Sequence, residues 1–344
     1  MKRIILFILA ALLLAPGRSV ACSDFRLQAK DGTVVIGRSM EFPVDLKSEV
    51  CVVPRGAGKY GFLGINAFGL KGTYVDGFNE QGLSLDGLMF TGAVYEPEVA
   101  GRSLPIDEFG TWLLGNYATV AEVKAALAAI NITAAKNHKL KDLGMHLAVH
   151  DATGHSLVVE FIGGQKKVYD NPLGVMTNRP GFDWQLANLR NYVNLNAQDR
   201  EPRMLNGVRI EPTGGGSGLH GLPGDWTPPS RFVKLAFSVD AALKPRSAAE
   251  AVNLAEHLLN TVDIPKGAIK EPTALPFKYL YGFAQWVVIK DLTSKVLYYK
   301  TYENTVWRSV DLKQFDLAPG KAVKTLSLAA QGAAAIDVSG KLEP

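Results

Sequence analysis

The stretch that decides the fold is residues 22–41, CSDFRLQAKDGTVVIGRSME. Two runs rich in apolar and β-branched residues, 23–28 and 33–38, are separated by a short polar break. That break contains Asp31 followed by Gly32, and Asp-Gly is a strong signal for a tight hairpin turn. The stretch therefore predicts two adjacent antiparallel strands.

The hairpin brings three reactive side chains toward one end. If Asp31 and Gly32 form a two-residue turn, Cys22 lies opposite Glu41 and close to Arg38. Arg38 and Glu41 alternate faces in an ideal strand, so the strand must end or bend between them for both to reach Cys22. A guanidinium favours the thiolate form of a cysteine, and a carboxylate can hold an ammonium group. An ordinary surface ion pair is the alternative.

Residues 1–21 have the features of a secretory signal peptide. Two basic residues precede an apolar run over 4–14, and residues 19–21, Ser-Val-Ala, form a small-x-small cleavage site. The apolar run is shorter than the ~20 residues that cross a bilayer. We therefore expect an exported protein, periplasmic or secreted from a bacterium, whose mature chain begins at Cys22.

The two cysteines, Cys22 and Cys51, allow three interpretations. An oxidising compartment permits a disulfide between them. A bacterial lipoprotein would carry lipid on Cys22, although Ser19 stands where a Leu-like residue is usual and Arg18 interrupts the apolar run. Catalysis is the third interpretation, because a terminal cysteine offers a thiol and, on the same residue, an α-amine with a pKa near ~8 that can accept the thiol proton.

Composition excludes several classes of protein. The chain has 344 residues, of which 47% are hydrophobic and 20% are charged, so it can bury a core and is neither disordered nor collagen-like. Loss of residues 1–21 removes three basic residues and no acidic one, which lowers the formal net charge from +4 to +1. No basic run with interleaved aromatics is present, so nucleic acid and anionic lipid are excluded as partners.

The remaining pattern predicts an α+β fold. A second hairpin is expected over 72–90, and further strands are predicted over 144–150, 156–161, 283–290, 295–301 and 305–311. Helices are predicted over 120–130, 183–195, 228–243 and 248–260, two of them opened by capping boxes. Strands at both ends with helices between them favour two antiparallel sheets covered by helices. We expect one domain over 22–315, followed by a tail over 316–344 whose packing is unassigned.

Two motifs are set aside. Residues 216–221 satisfy G-x-G-x-x-G, but Pro223 follows and no strand leads into the motif, so a dinucleotide site is not predicted. His146 and His150 lie on one face of a predicted strand without the glutamate of an H-E-x-x-H motif, which favours half-buried structural histidines over metal ligands. We therefore predict neither a metal nor a cofactor.

The whole mature chain up to about Leu312 resembles a known family. The resemblance is carried by seven motifs in order, which are Cys22 itself, GRSME at 37–41, DGFNEQGL at 76–83, GVMTN at 174–178, FDW at 182–184, GLPGDWTPPSRF at 221–232 and TYEN at 301–304. Together they look like the choloylglycine hydrolase and penicillin V acylase family of N-terminal-nucleophile hydrolases. The resemblance implies a four-layer αββα fold.

The resemblance also implies catalytic residues. It assigns the nucleophile to Cys22, the arginine beside the thiol to Arg38, the oxyanion-hole asparagine to Asn178 and a second arginine to Arg231. Two further positions depart from the family pattern. Glu41 stands where an aspartate is usual, and Met89 stands where bile salt hydrolases have asparagine, so Met89 can serve the oxyanion hole only through its backbone amide.

The implied activity is hydrolysis of a linear amide that joins an apolar acyl group to a polar amine. Bile salt hydrolase and penicillin V acylase are the two subclasses, some exported relatives cleave N-acyl homoserine lactones, and the departures at Glu41 and Met89 favour the acylase. The segment 188–220 resembles the arm through which relatives form tetramers, so a homotetramer is expected. A non-catalytic lipoprotein or binding protein lipidated at Cys22 is the alternative.

Overall fold

The structure is a computed structural model that describes residues 21–56, 58–273, 278–329, 332, 335 and 336. The predicted signal peptide lies outside the described residues except for Ala21, and so does most of the tail beyond residue 329. Within the described residues, no helix is long and apolar enough to cross a membrane.

Strands dominate the described chain. In chain order they are β1 (Cys22–Gln28), β2 (Val34–Glu41), β3 (Glu49–Val53), β4 (Phe62–Asn66), β5 (Tyr74–Asn79), β6 (Ser84–Met89), β7 (Ser103–Pro105), β8 (Asn131–Thr133), β9 (Met145–His150), β10 (Ser156–Ile162), β11 (Gln165–Asp170), β12 (Val175–Met176), β13 (Arg203–Leu205), β14 (Val208–Ile210), β15 (Ile269–Pro272), β16 (Tyr279–Gly282), β17 (Ala284–Asp291), β18 (Val296–Thr301), β19 (Asn304–Asp311) and β20 (Lys324–Ser327).

Helices are shorter and fewer. The α-helices are α1 (Phe109–Asn116), α2 (Val120–Leu127), α3 (Phe182–Asn188), α4 (Pro228–Ala241) and α5 (Ala248–Asn260). Short 3-10 turns occupy Ile106–Glu108, Leu189–Tyr192, Ser217–Leu219 and Leu312–Gln314. The predicted capping boxes are confirmed, because the hydroxyls of Thr119 and Ser247 accept hydrogen bonds from the third backbone N–H of α2 and α5.

Two antiparallel sheets form the centre of the fold. The six-stranded sheet has the order β12-β1-β2-β17-β18-β19, and the eight-stranded sheet has the order β11-β10-β9-β6-β5-β4-β3-β20. Helices α4 and α5 pack on the six-stranded sheet, whereas α1 and α2 pack on the eight-stranded sheet. The predicted α+β class and the αββα layering are therefore confirmed.

The central strands are buried on both faces, which explains their apolar sequences. All residues of β2, β4 and β5 are buried, and these strands carry long apolar stretches with few polar residues. Two of their polar residues, Arg38 of β2 and Asp76 of β5, meet across the gap between the sheets, whereas Asn79 of β5 donates to the carbonyl of Leu114 in helix α1. The two sheets thus form the core and also position the site.

The first hairpin forms as predicted, but its register differs by one residue. Cys22 pairs with Met40 rather than with Glu41. The reason is that three residues form the turn, and Gly32 ends it with φ of +91°, a left-handed conformation that suits glycine. Strand β2 itself runs without interruption to Glu41, and the irregularity lies in the neighbouring β17, which has a bulge between Ala284 and Trp286 where it pairs with Glu41 and Met40.

Part of the C-terminal segment joins the eight-stranded sheet as an exposed edge strand. Strand β20 (Lys324–Ser327) lies within the segment left unassigned by the sequence and pairs with β3 at the edge of the eight-stranded sheet. The segment 188–220 contains the separate two-stranded sheet of β13 and β14, whose residues are exposed. This sheet stands apart from the two large ones.

Candidate active site

Cys22 is the first residue of β1 and is buried, with 1% of its surface exposed. Its backbone N–H donates a hydrogen bond of 2.6 Å to Oδ1 of Asn178. The carbonyl of the preceding Ala21 accepts a hydrogen bond of 3.1 Å from the backbone N–H of Glu41. The peptide bond before Cys22 therefore lies inside the cluster of residues that the sequence selected.

Opposing influences act on the thiol. Burial raises the pKa of Cys22 above its ordinary value, and the charge of Glu41 raises it further. The guanidinium of Arg38 lowers this pKa, as do the backbone N–H groups of Met89 and Glu41 that face the sulfur. The neighbourhood thus contains the donors that stabilise a thiolate, within a site that otherwise disfavours charge.

Arg38 is completely buried on β2. Its Nε lies 3.3 Å from Oδ2 of Asp76 and 3.6 Å from Oδ1 of Asp86. Nη2 donates a hydrogen bond to the carbonyl of Gly87, and the guanidinium lies 4.8 Å from the ring centre of Trp286. These contacts hold the positive charge behind the thiol.

Glu41 is a buried carboxylate in an unusual environment. Its residue is 0% exposed, and neither carboxylate oxygen has a well-aligned hydrogen bond from the described residues. Burial raises the pKa of Glu41 to about 7, although Arg231, Ser39 and Arg38 act to lower it. A buried carboxylate without well-aligned hydrogen bonds is costly, so a cationic donor placed beside Glu41 would stabilise its charged form.

Asn178 connects the start of β1 to Met89 at the end of β6. Its Oδ1 accepts hydrogen bonds from the backbone of Cys22 and from Nη2 of Arg231, the latter at 2.9 Å. Its Nδ2 donates a hydrogen bond of 2.8 Å to the carbonyl of Met89. One of the two amide hydrogens on Nδ2 is therefore used, and the second is available to another acceptor.

Arg231 fixes the same corner from helix α4. It is fully buried, and Nη1 donates hydrogen bonds to the carbonyl of Cys22 at 2.5 Å and to Oγ of Ser23 at 2.7 Å. Its Nε donates to the carbonyl of Trp226 at 3.0 Å. All six residues predicted from the sequence, Cys22, Arg38, Glu41, Met89, Asn178 and Arg231, thus lie around the start of β1.

An apolar cavity opens beside the thiol. Its volume is about 30 Å³, and it is lined by Cys22 together with Met40, Phe68, Val75 and Leu143, among other apolar residues. An apolar lining suits an apolar group rather than a charged one, but this volume is far below the ~300 Å³ at which ligand pockets begin, so an acyl group enters only if the lining moves. A much larger groove of about 830 Å³ lies elsewhere on the surface and does not include Cys22.

Sequence reasoning missed the acidic and basic residues that surround Arg38. Asp76, Asp86 and Lys290 are each 0% exposed and form a buried charge cluster with it. The available signal was a charged residue inside an otherwise apolar strand, such as Lys290 after Trp-Val-Val-Ile in β17. Such residues are almost never fully buried unless they are paired.

The histidines are more deeply buried than predicted. His146 and His150 are 1% and 0% exposed rather than half-buried, because their strand lies in the middle of the eight-stranded sheet. His150 contacts Asp24 at 2.9 Å and Oγ of Ser156 at 2.7 Å, whereas His146 contacts Glu160 at 3.1 Å. Each histidine therefore has a structural partner.

The G-x-G-x-x-G motif lies in a loop. Residues 217–219 form a 3-10 turn, and the next α-helix, α4, begins only at Pro228. A dinucleotide site needs such a motif to connect a strand directly to a helix. The expectation that the motif is a loop is confirmed.

Comparison with known proteins identifies the family. Residues 22–327 match the linear amide C–N hydrolases of the choloylglycine hydrolase family. The chain belongs to the choloylglycine hydrolase family. It is 33% identical over 326 residues to a bile salt hydrolase/transferase from Clostridium perfringens, covering 88% of this chain and 96% of that protein.

Solved structures from this family share its fold. A variant of conjugated bile acid hydrolase from Clostridium perfringens superposes with a TM-score of 0.82 at 31% identity, covering 92% of this chain and 100% of the other. Penicillin V acylase from Agrobacterium tumefaciens gives a TM-score of 0.73 at 25% identity, covering 90% and 92%. As a choloylglycine hydrolase family member, this protein is an enzyme that hydrolyses linear amide C–N bonds.

Proposed function

We propose that this hydrolase uses Cys22 as its nucleophile, after export and removal of residues 1–21. The observation that carries the proposal is that Asn178 and the backbone of Glu41 both bond the peptide group that precedes Cys22, while Arg231 bonds the carbonyl of Cys22 itself. A site built around a backbone nitrogen is expected where that nitrogen becomes a catalytic amine. The family match also begins at Cys22.

Acylation is the first half of the reaction. The α-amine of Cys22 accepts the thiol proton, and Sγ forms a bond to the carbonyl carbon of the amide, which produces a tetrahedral oxyanion. The C–N bond then breaks, and the α-ammonium gives its proton to the departing amine. The acyl group remains on Cys22 as a thioester.

Deacylation uses the same groups, with a water molecule as the attacking nucleophile in place of the thiol. A water molecule gives a proton to the α-amine and attacks the thioester carbonyl. The C–S bond breaks, the carboxylic acid leaves, and the thiol and amine are restored. Glu41 is suited to hold the α-ammonium in both halves, because its buried oxygens need a cationic partner.

The oxyanion is assigned to two donors. The backbone N–H of Met89 faces the sulfur of Cys22, and Nδ2 of Asn178 keeps one hydrogen beyond its bond to the Met89 carbonyl. Donors fixed before the reaction stabilise developing charge without reorganisation. Arg231 orients Asn178 from behind, and Arg38 supplies the positive charge that favours the thiolate.

The substrate class follows from the family, and the apolar lining beside Cys22 agrees with it. We assign it to amides with an apolar acyl group and a polar amine, because the lining next to Cys22 is apolar. Relatives named bile salt hydrolase/transferase and penicillin V acylase both fall within this class. The departures at Glu41 and Met89 still favour the acylase.

A substrate panel tests the proposal. The processed protein is incubated with glycocholate, taurocholate, penicillin V and long-chain N-acyl homoserine lactones, beside Cys22→Ser and the matched control Cys51→Ala. We expect hydrolysis of at least one substrate, near-complete loss in Cys22→Ser, and little change in Cys51→Ala. If Cys22→Ser were as active as the wild type, Cys22 would not be the nucleophile.

Intact mass separates the amidase from a lipoprotein. A processed chain that begins at unmodified Cys22 supports the mechanism, because its α-amine is free. A mass increase from lipid at Cys22 contradicts it, since an acylated amine cannot act as a base. Isolation of the protein from the periplasm or the medium tests the proposed export.

We also propose that the segment 188–220 mediates assembly into a homotetramer. Leu205, Val208 and Ile210 lie on one face of the β13–β14 hairpin and are 53%, 59% and 49% exposed. An exposed apolar face of this kind suits a second copy of the chain. Light scattering at micromolar concentration is expected to give a tetramer, and Leu205→Asp is expected to lower the mass. A wild-type monomer would refute the assembly.

A further inference from the structure

A cluster of charged side chains fills the gap between the two sheets behind Arg38. Its members are all 0% exposed, and they are Asp24, Arg38, Asp76, Asp86, His150 and Lys290. Burying this many charged groups is expensive unless they are paired. The ion pairs within the cluster show which carboxylates hold which cation.

Lys290 is the cation at the centre of the cluster. Its ammonium donates hydrogen bonds to Oδ1 of Asp76 at 3.1 Å, to Oδ1 of Asp86, and to the carbonyl of Leu85 at 3.4 Å. An ammonium has three hydrogens, so these three acceptors satisfy it completely. Lys290 therefore has no capacity left for substrate or solvent.

The two aspartates connect Lys290 to Arg38. Asp76 uses Oδ1 for Lys290 and Oδ2 for Nε of Arg38, and Asp86 faces both cations with Oδ1. Asp76 and Asp86 are directly opposite each other on β5 and β6, an arrangement in which like charges repel. Both cations come from the facing sheet, Arg38 from β2 and Lys290 from β17. With all four ionised, the groups form a neutral unit of two cations and two anions, and burial raises the pKa of Asp76 to about 7 against the lowering effect of Lys290.

Arg38 depends on this unit for its position. Within the described part of the chain, neither Nε nor Nη1 of Arg38 has a well-aligned hydrogen bond, so the ion pairs with Asp76 and Asp86 do much of the holding. Its other contacts among the described residues include the Gly87 carbonyl, Sδ of Met40 at 4.0 Å and the Trp286 ring. Arg38 is in turn the charge that lowers the pKa of the Cys22 thiol.

His150 and Asp24 extend the cluster and leave the ion pairs of Arg38 and Lys290 as described. Asp24, Asp86 and His150 offer atoms of metal-ligating types within 4.8 Å of one another. However, Asp86 already binds the Lys290 ammonium, and His150 already contacts Asp24 and Ser156. The ammonium of Lys290 thus already supplies the positive charge that a metal ion would bring to Asp86.

We propose that Lys290 is a positioning residue of the active site, which holds the guanidinium of Arg38 beside Cys22 by fixing the carboxylates of Asp76 and Asp86. The inference rests on the proposed role of Cys22 as nucleophile. Without Lys290, two adjacent carboxylates share one cation. Either Arg38 moves toward them, or one carboxylate takes up a proton and releases Arg38. In both cases the positive charge at the sulfur weakens.

The test compares Lys290→Met with Lys290→Arg in the full processed chain. The readouts are kcat and KM for the best amide, and the rate at which iodoacetamide alkylates Cys22 as a function of pH, followed by mass on the N-terminal peptide. Burial raises the pKa of Cys51 to about 11, so this second thiol contributes little. Lys166→Met is the control, because it removes a largely buried lysine paired with Glu96 at 3.2 Å.

In Lys290→Met, kcat is expected to fall about ten- to hundredfold with KM nearly unchanged, because small displacements of a catalytic group have effects of this size. The midpoint of the alkylation profile is expected to move to higher pH. Lys290→Arg keeps the charge and should stay close to the wild type in that midpoint, and Lys166→Met should match the wild type. A lower melting temperature in Lys290→Met with unchanged alkylation and kinetics would overturn the proposal.

A second variant covers the case in which Lys290→Met does not fold. Lys290→Met combined with Asp86→Asn removes one cation and one anion, so the interior stays neutral while Arg38 loses one of its two anchors. Slower alkylation of Cys22 at a given pH is expected, and a wild-type profile would overturn the proposal. Alkylation needs no amide substrate, so an unreactive substrate panel would reject the proposed function and leave this result readable by itself.

Discussion

Glu41 offers the sharpest test of the chemistry, because it departs from the family pattern and yet has a definite task in the mechanism. In the uncleaved chain, burial raises its pKa from 4.5 to about 7. One pKa unit corresponds to about 1.4 kcal/mol, so the shift represents about 3 kcal/mol against the charged form. The proposed removal of residues 1–21 would place an ammonium next to this carboxylate, which would favour its ionisation.

Three substitutions separate charge from geometry. Glu41→Gln keeps the size but removes the counter-charge, which lowers the pKa of the α-amine by about one to three units. The neutral, basic form of the amine then persists to lower pH, so the acid limb of the kcat/KM profile moves to lower pH while the maximal rate drops. Glu41→Asp keeps the charge but shortens the reach, so a partial loss is expected. Glu41→Ala should be the least active.

The assay is the pH dependence of kcat/KM for each variant, with Asp291→Asn as the control. Asp291 is also buried, but it accepts hydrogen bonds from the backbone of Thr293 and Ser294 in a turn. Its substitution should alter stability without moving the acid limb. If all three Glu41 variants keep the rate and the pH profile of the wild type, Glu41 does not hold the amine, and the reasoning is wrong.

Three further predictions concern processing, the oxyanion hole and the first hairpin. A chain that retains residues 1–21 should be inactive, as measured by amide hydrolysis after its mass is confirmed, because the nitrogen of Cys22 is then part of a peptide bond. Asn178→Ala should lower kcat about 10²–10³-fold, because it removes an oxyanion donor, and a smaller effect than twofold would exclude that role. Gly37→Ala should destabilise the fold by about 1–3 kcal/mol, because the new Cβ would lie 2.4 Å from the ring of Phe25. Gly215→Ala, which has open space, is the control in thermal unfolding, and equal melting temperatures would contradict this packing.

Periodicity and turn residues were sufficient to predict much of the fold. The second hairpin, β5 and β6, pairs as expected around the break at 79–82. Helices α2 and α5 begin at their capping boxes, where a local sequence signal corresponds to a local hydrogen bond. Elements with signals of this kind can be located without knowledge of the rest of the chain.

Elements without such signals were missed. Helix α1 (Phe109–Asn116) has no side-chain cap, and two glycines interrupt its apolar pattern, so packing on the eight-stranded sheet decides its conformation. Strands β3 and β4 have five residues each, and the Pro- and Gly-rich segment 54–61 between them is longer than a tight hairpin turn, so the sequence does not set their pairing. The hairpin register was wrong because Asp-Gly occurs in both two- and three-residue turns, and only the backbone distinguishes them.

The residues of the site also divide into those with a local sequence signal and those without one. Cys22, Arg38 and Glu41 were placed together by hairpin geometry, whereas Asn178 and Arg231 came from the family resemblance, since they are 156 and 209 residues from Cys22. Lys290 was missed because its partners lie on the other sheet. A long-range charge pair has no periodic signature in the sequence, although a lysine in an apolar strand indicates that a partner must exist.

The proposed mechanism depends most directly on a covalent bond between the acyl group of the substrate and Sγ of Cys22. The processed enzyme is mixed with its best amide substrate, quenched with acid during turnover, and examined by mass spectrometry of the intact chain and of the N-terminal peptide. A mass increase equal to the acyl group less one hydrogen is expected, located on Cys22 and missing from Cys22→Ala. Turnover in Cys22→Ala, or an acyl adduct on a different residue, would contradict it.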